Sequence, residues 1–85
     1  MLGDLTERDR AILALEADWP RHSGAKEEFI RAQLGMSAAR YYQLLGRLIE
    51  SEAALEYDPM LVRRLRRLRE SRARWRSKRS PGFVS

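Results

Sequence analysis

The apolar residues of this chain recur at three- and four-residue intervals, and no stretch shows the strict alternation of a half-buried strand. That spacing puts them on single faces of helices, so the chain reads as helical throughout. Ile12, Leu15, Glu16 and Trp19 fall at i, i+3, i+4 and i+7, with Leu13 beside them. Phe29, Ile30 and Leu34 form a second stripe, and Tyr41, Leu44, Leu45, Leu48 and Ile49 form a third. Leu61, Leu65 and Leu68 make a fourth, which Arg72 and Trp75 continue.

Start and stop residues sit between the stripes. Thr6 with Asp9 three residues on resembles a capping box. Pro20 ends the first helix, because the residue before a proline avoids the helical region, and residues 21–24 read as a loop. A second helix fits Ala25 to Leu34, and Gly35 stops it in the left-handed conformation that glycine adopts cheaply. Ser37 caps a third helix over Ala38 to Glu50. Residues 52–57 are open between a loop and a short extra turn. Asp58-Pro59 is a start signal, and the fourth helix runs from Met60 to about Arg76, with Ser80-Pro81-Gly82 ending it. The expected fold is all-α: a small bundle of three to four helices with a helix-turn-helix and a long basic C-terminal helix.

Eighty-five residues make one small domain with a marginal core. The absence of cysteine excludes a disulfide framework and a thiolate metal site. The longest apolar run, Ala11 to Leu15, is far short of the roughly 18 residues of a membrane span. Acids stand at the N-terminus where a signal peptide carries bases. These features predict a cytoplasmic protein with no membrane role.

Charge divides the chain. Residues 63–79 hold ten of its seventeen bases against the single acid Glu70, a net +9, whereas residues 1–59 hold seven bases against eleven acids, a net −4. Such separation points to a polyanionic partner. Nine of the ten bases are arginine, whose planar fork suits phosphate. The predicted organisation is a helical helix-turn-helix domain over 1–68 and a basic helical extension with a frayed tail over 69–85. Bases at i, i+3 and i+4 repel, so the extension is expected to order only on its partner.

Residues 27–46, EEFIRAQLGMSAARYYQLLG, have helix-turn-helix spacing. Ile30 and Leu34 lie on the first helix, Gly35 turns the chain, Met36 plugs the corner and Tyr41 and Leu44 return to the core. The second helix of such a pair can enter a DNA major groove. The outward residues at its start are Ser37, Ala38, Ala39, Tyr42, Gln43 and Gly46, flanked by Arg40 and Arg47. Gln43 can pair with adenine and the alanines can touch a thymine methyl. No arginine or asparagine stands at the strongest base-reading positions, so phosphate contacts would supply most of the affinity. Arg31 departs from the pattern, because the helix crossing usually has a small residue there. Gly46 inside a helix would serve a close approach, by the first helix or by a DNA backbone.

The candidate DNA-binding residues are therefore Ser37, Ala38, Ala39, Arg40, Tyr42, Gln43 and Arg47 on the third helix. On the fourth they are Arg63, Arg64, Arg66, Arg67, Arg69, Arg72, Arg74, Arg76, Lys78 and Arg79.

The strings LTERDRAIL, GAKEEFIRAQLGMSAARYYQLLGRLI and DPMLVRRLRRLRESR, in this order, resemble a family of small actinobacterial proteins known as domain of unknown function 3263. The resemblance covers about residues 4–75. It implies a small cytoplasmic helical protein that binds DNA, and it brings no catalytic residues.

Catalysis lacks its parts. His22, the only histidine, lies in a loop, there is no glycine-rich phosphate loop, and Glu27-Glu28 suits a helix N-terminus. No catalytic residue, metal site or cofactor is expected. The leading expectation is a DNA-binding transcription regulator or nucleoid-associated factor located in the nucleoid. The alternatives are an accessory protein binding RNA polymerase or a sigma factor, and an RNA- or ribosome-binding protein. A homodimer through the short leucine seam of the last helix stays open, because Arg72 interrupts the seam after little more than one heptad.

Overall fold

A computed structural model describes residues 4–84, with side chains described as far as Trp75. Among the described residues the chain is all-helical, with five helices and no strand: α1 (Glu7–Asp18), α2 (Gly24–Leu34), α3 (Ala38–Leu48), α4 (Glu52–Tyr57) and α5 (Pro59–Val84). The expected bundle is present. The ambiguous stretch at 52–57 forms a helix of its own, which makes five helices where three to four were predicted.

Each helix begins on a side-chain cap that accepts a backbone N–H left over by the first turn. Thr6 accepts from the Asp9 amide at 3.0 Å while the Asp9 carboxylate accepts from the Thr6 amide at 3.1 Å, a complete capping box. Ser23 serves α2 through the Lys26 amide, so that helix starts at Gly24, one residue before the predicted Ala25. Ser37, Ser51 and Asp58 cap α3, α4 and α5. Gly35 turns the chain between α2 and α3 at φ +65°, where a side chain would be strained.

α1, α2 and α3 pack through Ile12, Leu13, Leu15, Ile30, Tyr41, Leu45 and Leu48, all buried. α3 touches both α1 and α2, whereas the main partner of α5 is α4. The same core cluster extends through Ile49 and Ala54 to Leu61 and Val62. Burying one such aliphatic side chain stabilises the fold by about 1.5–3 kcal/mol.

α5 leaves the body early. Leu65 is half-buried, but Leu68 is 44% exposed rather than docked on the bundle, and every described side chain beyond it is exposed. The 26 residues of α5 span about 39 Å. The radius of gyration is accordingly 14.6 Å, above the roughly 12 Å of a compact chain this long.

Two expectations about this helix are corrected. It runs on to Val84 rather than ending near Arg76, since arginine is a strong helix former. It also passes through Ser80-Pro81-Gly82, where an end was expected.

Candidate nucleic-acid interface and the groove beside it

The α2–α3 corner has the parts of a helix-turn-helix. Gly35 makes the left-handed turn, Met36 and Leu34 pack half-buried on the core, and Ser37 Oγ accepts from the Arg40 amide at 3.2 Å. Tyr41 and Leu45 anchor α3 to the core while Leu44 covers its edge. Arg40, Gln43 and Arg47 project to solvent along the opposite side. Arg40 Nη1 donates to Gln43 Oε1 at 3.1 Å, so the acceptor that Gln43 would offer to an adenine amino group is already engaged by its neighbour.

The rest of the predicted recognition surface is placed differently. Ala38, Ala39, Tyr42 and Gly46 look into an open groove of about 840 Å³ between α3 and α5. Its other wall is Arg64, Leu65, Leu68, Arg69 and Arg72, and Glu16, Pro20, His22 and Glu27 from α1, α2 and the loop between them also line it. The structure thus brings together three predicted residues of α3 and three of α5, around an apolar floor rather than a flat basic face. Tyr42 is half-buried here and joins a ring cluster with Tyr41, the centroids 5.0 Å apart and the planes at 87°. Nothing lies within 4 Å of where a Cβ at Gly46 would stand, so the close approach of α1 considered for this glycine does not occur.

The α5 arginines separate by role. Arg66 is half-buried, and its Nε donates to the Ile49 carbonyl, which closes the end of α3. It works as a C-terminal cap of α3. Arg69 pairs with Glu50 at 3.0 Å on the surface, an interaction worth about 0–1 kcal/mol. Arg63, Arg64, Arg67, Arg72 and Arg74 are exposed and make no ion pair among the described residues. Arg76, Lys78 and Arg79 lie outside the described side chains.

A charged cluster that the sequence reading missed sits beneath the groove. Lys26 is completely buried and its Nζ donates to Glu16 Oε1 at 2.7 Å, with Glu16 itself only 4% exposed. Tyr41 Oη lies 2.8 Å from the same carboxylate oxygen and 3.2 Å from the Ile12 carbonyl. Its single hydrogen goes to one acceptor at a time. The ammonium also stands 5.6 Å from the Tyr41 ring centre and 5.1 Å from that of Tyr42. Burial, followed by the charge and hydrogen bond of Glu16, pushes the Tyr41 phenol well above its ordinary value. No buried side-chain polar atom among the described residues lacks a partner.

At the groove mouth His22 is exposed, as predicted, but it is held. Its Nδ1 is 3.0 Å from Tyr42 Oη and its Nε2 is 3.4 Å from Glu27. One signal for the buried pair was present in the sequence. Glu16 and Lys26 occupy positions on the apolar faces of their helices, Glu16 one turn after Ile12 and Lys26 one turn before Ile30.

A family model described as "protein of unknown function (DUF3263)" matches residues 4–77. The chain belongs to this family. The match spans α1 to α4 and the described side chains of α5, so both walls of the groove and the Glu16–Lys26 pair lie inside the DUF3263 region. No curated protein and no solved structure matches the chain. No group of acids and histidines among the described residues could hold a metal ion, and no helix there is long and apolar enough to cross a membrane.

Proposed function

We propose that this DUF3263 protein binds double-stranded DNA, chiefly through the sugar-phosphate backbone. The observation that carries the reading is the row of exposed arginines on α5 (Arg63, Arg64, Arg67, Arg72 and Arg74), which no acid among the described residues neutralises. Like charges at i, i+3 and i+4 on one helix destabilise it, and a polyanion removes that repulsion while releasing its own counterions. Arg76, Lys78 and Arg79 extend the run in sequence.

α3 adds Arg40 and Arg47 at its solvent edge. Its means of reading bases are limited, since Gln43 is tied to Arg40 and Tyr42 is half-buried toward the groove. The geometry therefore favours a nucleoid-associated, weakly selective binder over an operator-specific regulator.

Titration of random duplex DNA against salt tests this reading. Six to eight neutralised phosphates give a slope of log K on log salt of about −5 to −7. A slope near zero, or no binding at low salt, refutes it. Preference for structured RNA over duplex in direct competition would move the assignment to RNA.

A further inference from the structure

The groove between α3 and α5 is not built for a polyanion. Its floor is Tyr42, Leu45, Leu65 and Leu68, and Leu68 is 44% exposed. Laying phosphates over leucines would strip their hydration without offering a donor. Gly46 lies in the last turn of the α3 wall, and an added Cβ would meet nothing within 4 Å. Glycine weakens a helix relative to alanine, and no contact inside the chain requires it at this position. Ala39 stands two turns earlier on the same wall. Two small residues so placed admit another backbone at close range.

The α5 rim is basic. Arg64 and Arg72 are exposed and make no ion pair among the described residues, and Arg69 is held by Glu50. About 840 Å³ is a volume typical of formed binding clefts, which run to roughly 300–1,000 Å³. We propose that this groove binds an amphipathic α-helix of a partner protein. The apolar stripe of that helix lies on the leucine floor, its backbone passes over Ala39 and Gly46, and its acidic edge faces Arg64 and Arg72. The site lies apart from the Arg40–Gln43–Arg47 edge but shares Arg64 and Arg72 with the α5 row proposed for DNA, so the leucine floor and Gly46 are what distinguish it.

The test is fluorescence anisotropy on the full chain with a labelled designed peptide of about 14 residues, which as a helix of about 21 Å spans the roughly 16 Å length of α3. The peptide carries leucines at i, i+3, i+4 and i+7 and glutamates elsewhere. A scrambled peptide of equal composition has the charge without the stripe, and a third peptide has lysine for glutamate. The striped acidic peptide binds at least roughly tenfold tighter than either control. Gly46→Leu projects into the groove and weakens binding roughly tenfold or more, with the helical circular dichroism and melting temperature retained. The exchange Arg64→Glu with Arg72→Glu, at two exposed positions, does the same and decides the matter if Gly46→Leu fails to fold.

Equal affinity for striped and scrambled peptides would reduce the effect to arginine electrostatics and overturn the proposal. Unchanged binding in Gly46→Leu, or tighter binding of the lysine peptide, also overturns it. Self-association that Gly46→Leu abolishes would make a second copy the occupant, and loss of duplex binding in that variant would assign the groove to DNA.

Discussion

Replacing Lys26 with methionine tests the account of the core most directly. The side chain is completely buried, and its ammonium is the countercharge of Glu16, which is itself 4% exposed. Methionine fills similar space but leaves the carboxylate in the interior with only the Tyr41 hydroxyl as donor. Removing one member of a buried pair costs about 3–5 kcal/mol. The total stability expected of 85 residues is roughly 4–13 kcal/mol, so the variant sits near the edge of folding. Glu16→Leu should cost a similar amount, because it strands the ammonium. The double variant should recover most of the loss, since two apolar side chains replace a desolvated pair and Tyr41 Oη still has the Ile12 carbonyl at 3.2 Å. Urea unfolding followed by far-UV circular dichroism gives all four corners of the cycle. A cost below about 1 kcal/mol for Lys26→Met, or additivity within about 0.5 kcal/mol, would refute the buried-pair reasoning.

Three further outcomes follow from other positions. Gly46→Ala should raise stability by about 1 kcal/mol in the same urea assay, because the new methyl meets nothing, whereas Gly35→Ala at φ +65° should lower it by about 1–2 kcal/mol. The raised Tyr41 phenol keeps its proton in the fold at a pH where the unfolded chain has lost it. Its contribution is thus fully present below about pH 10 and falls by about 1.4 kcal/mol per pH unit above that, and Tyr41→Phe should flatten this alkaline slope in a pH series of unfolding curves. Removing residues 70–85 deletes Arg72, Arg74, Arg76, Lys78 and Arg79 but no buried side chain among the described residues, so thermal melts should show the fold retained while salt titration shows weaker binding to every duplex.

Much of the fold was legible because its signals are local. Thr6, Ser37 and Asp58 were readable as caps since a cap and its amide lie three residues apart, and Gly35 announced a left-handed turn by being glycine at the end of a stripe. Tyr41 followed from periodicity alone. What was not legible depends on contacts between distant elements. The Lys26–Glu16 bond joins residues ten apart on different helices, and Arg66 reaches the Ile49 carbonyl across 17 residues. A helix viewed alone gives the direction of a side chain but not what stands opposite it. That is why Ala38, Ala39 and Tyr42 looked like a free outward surface, when the path of α5 makes them one wall of a groove.

The position of that groove follows from how the helices meet around one core. α1, α2 and α3 are tied by the Ile12–Leu13–Ile30–Tyr41 packing and by the Glu16–Lys26–Tyr41 bonds beneath one end of the groove. α5 is carried by α4 through Ala54, Leu61 and Val62, and it meets the end of α3 through the Arg66 cap. Beside that shared core, α3 and α5 face each other across the open groove. The apolar residues of α5 next to that groove, Leu65 and Leu68, are too few and too exposed to close it against Ala39 and Gly46. Leucine in that setting contributes little to the isolated fold, since only surface removed from water stabilises. The same helix therefore carries two surfaces of opposite character. Its arginine face suits a polyanion, while its leucine edge gains burial only when an apolar helix covers it.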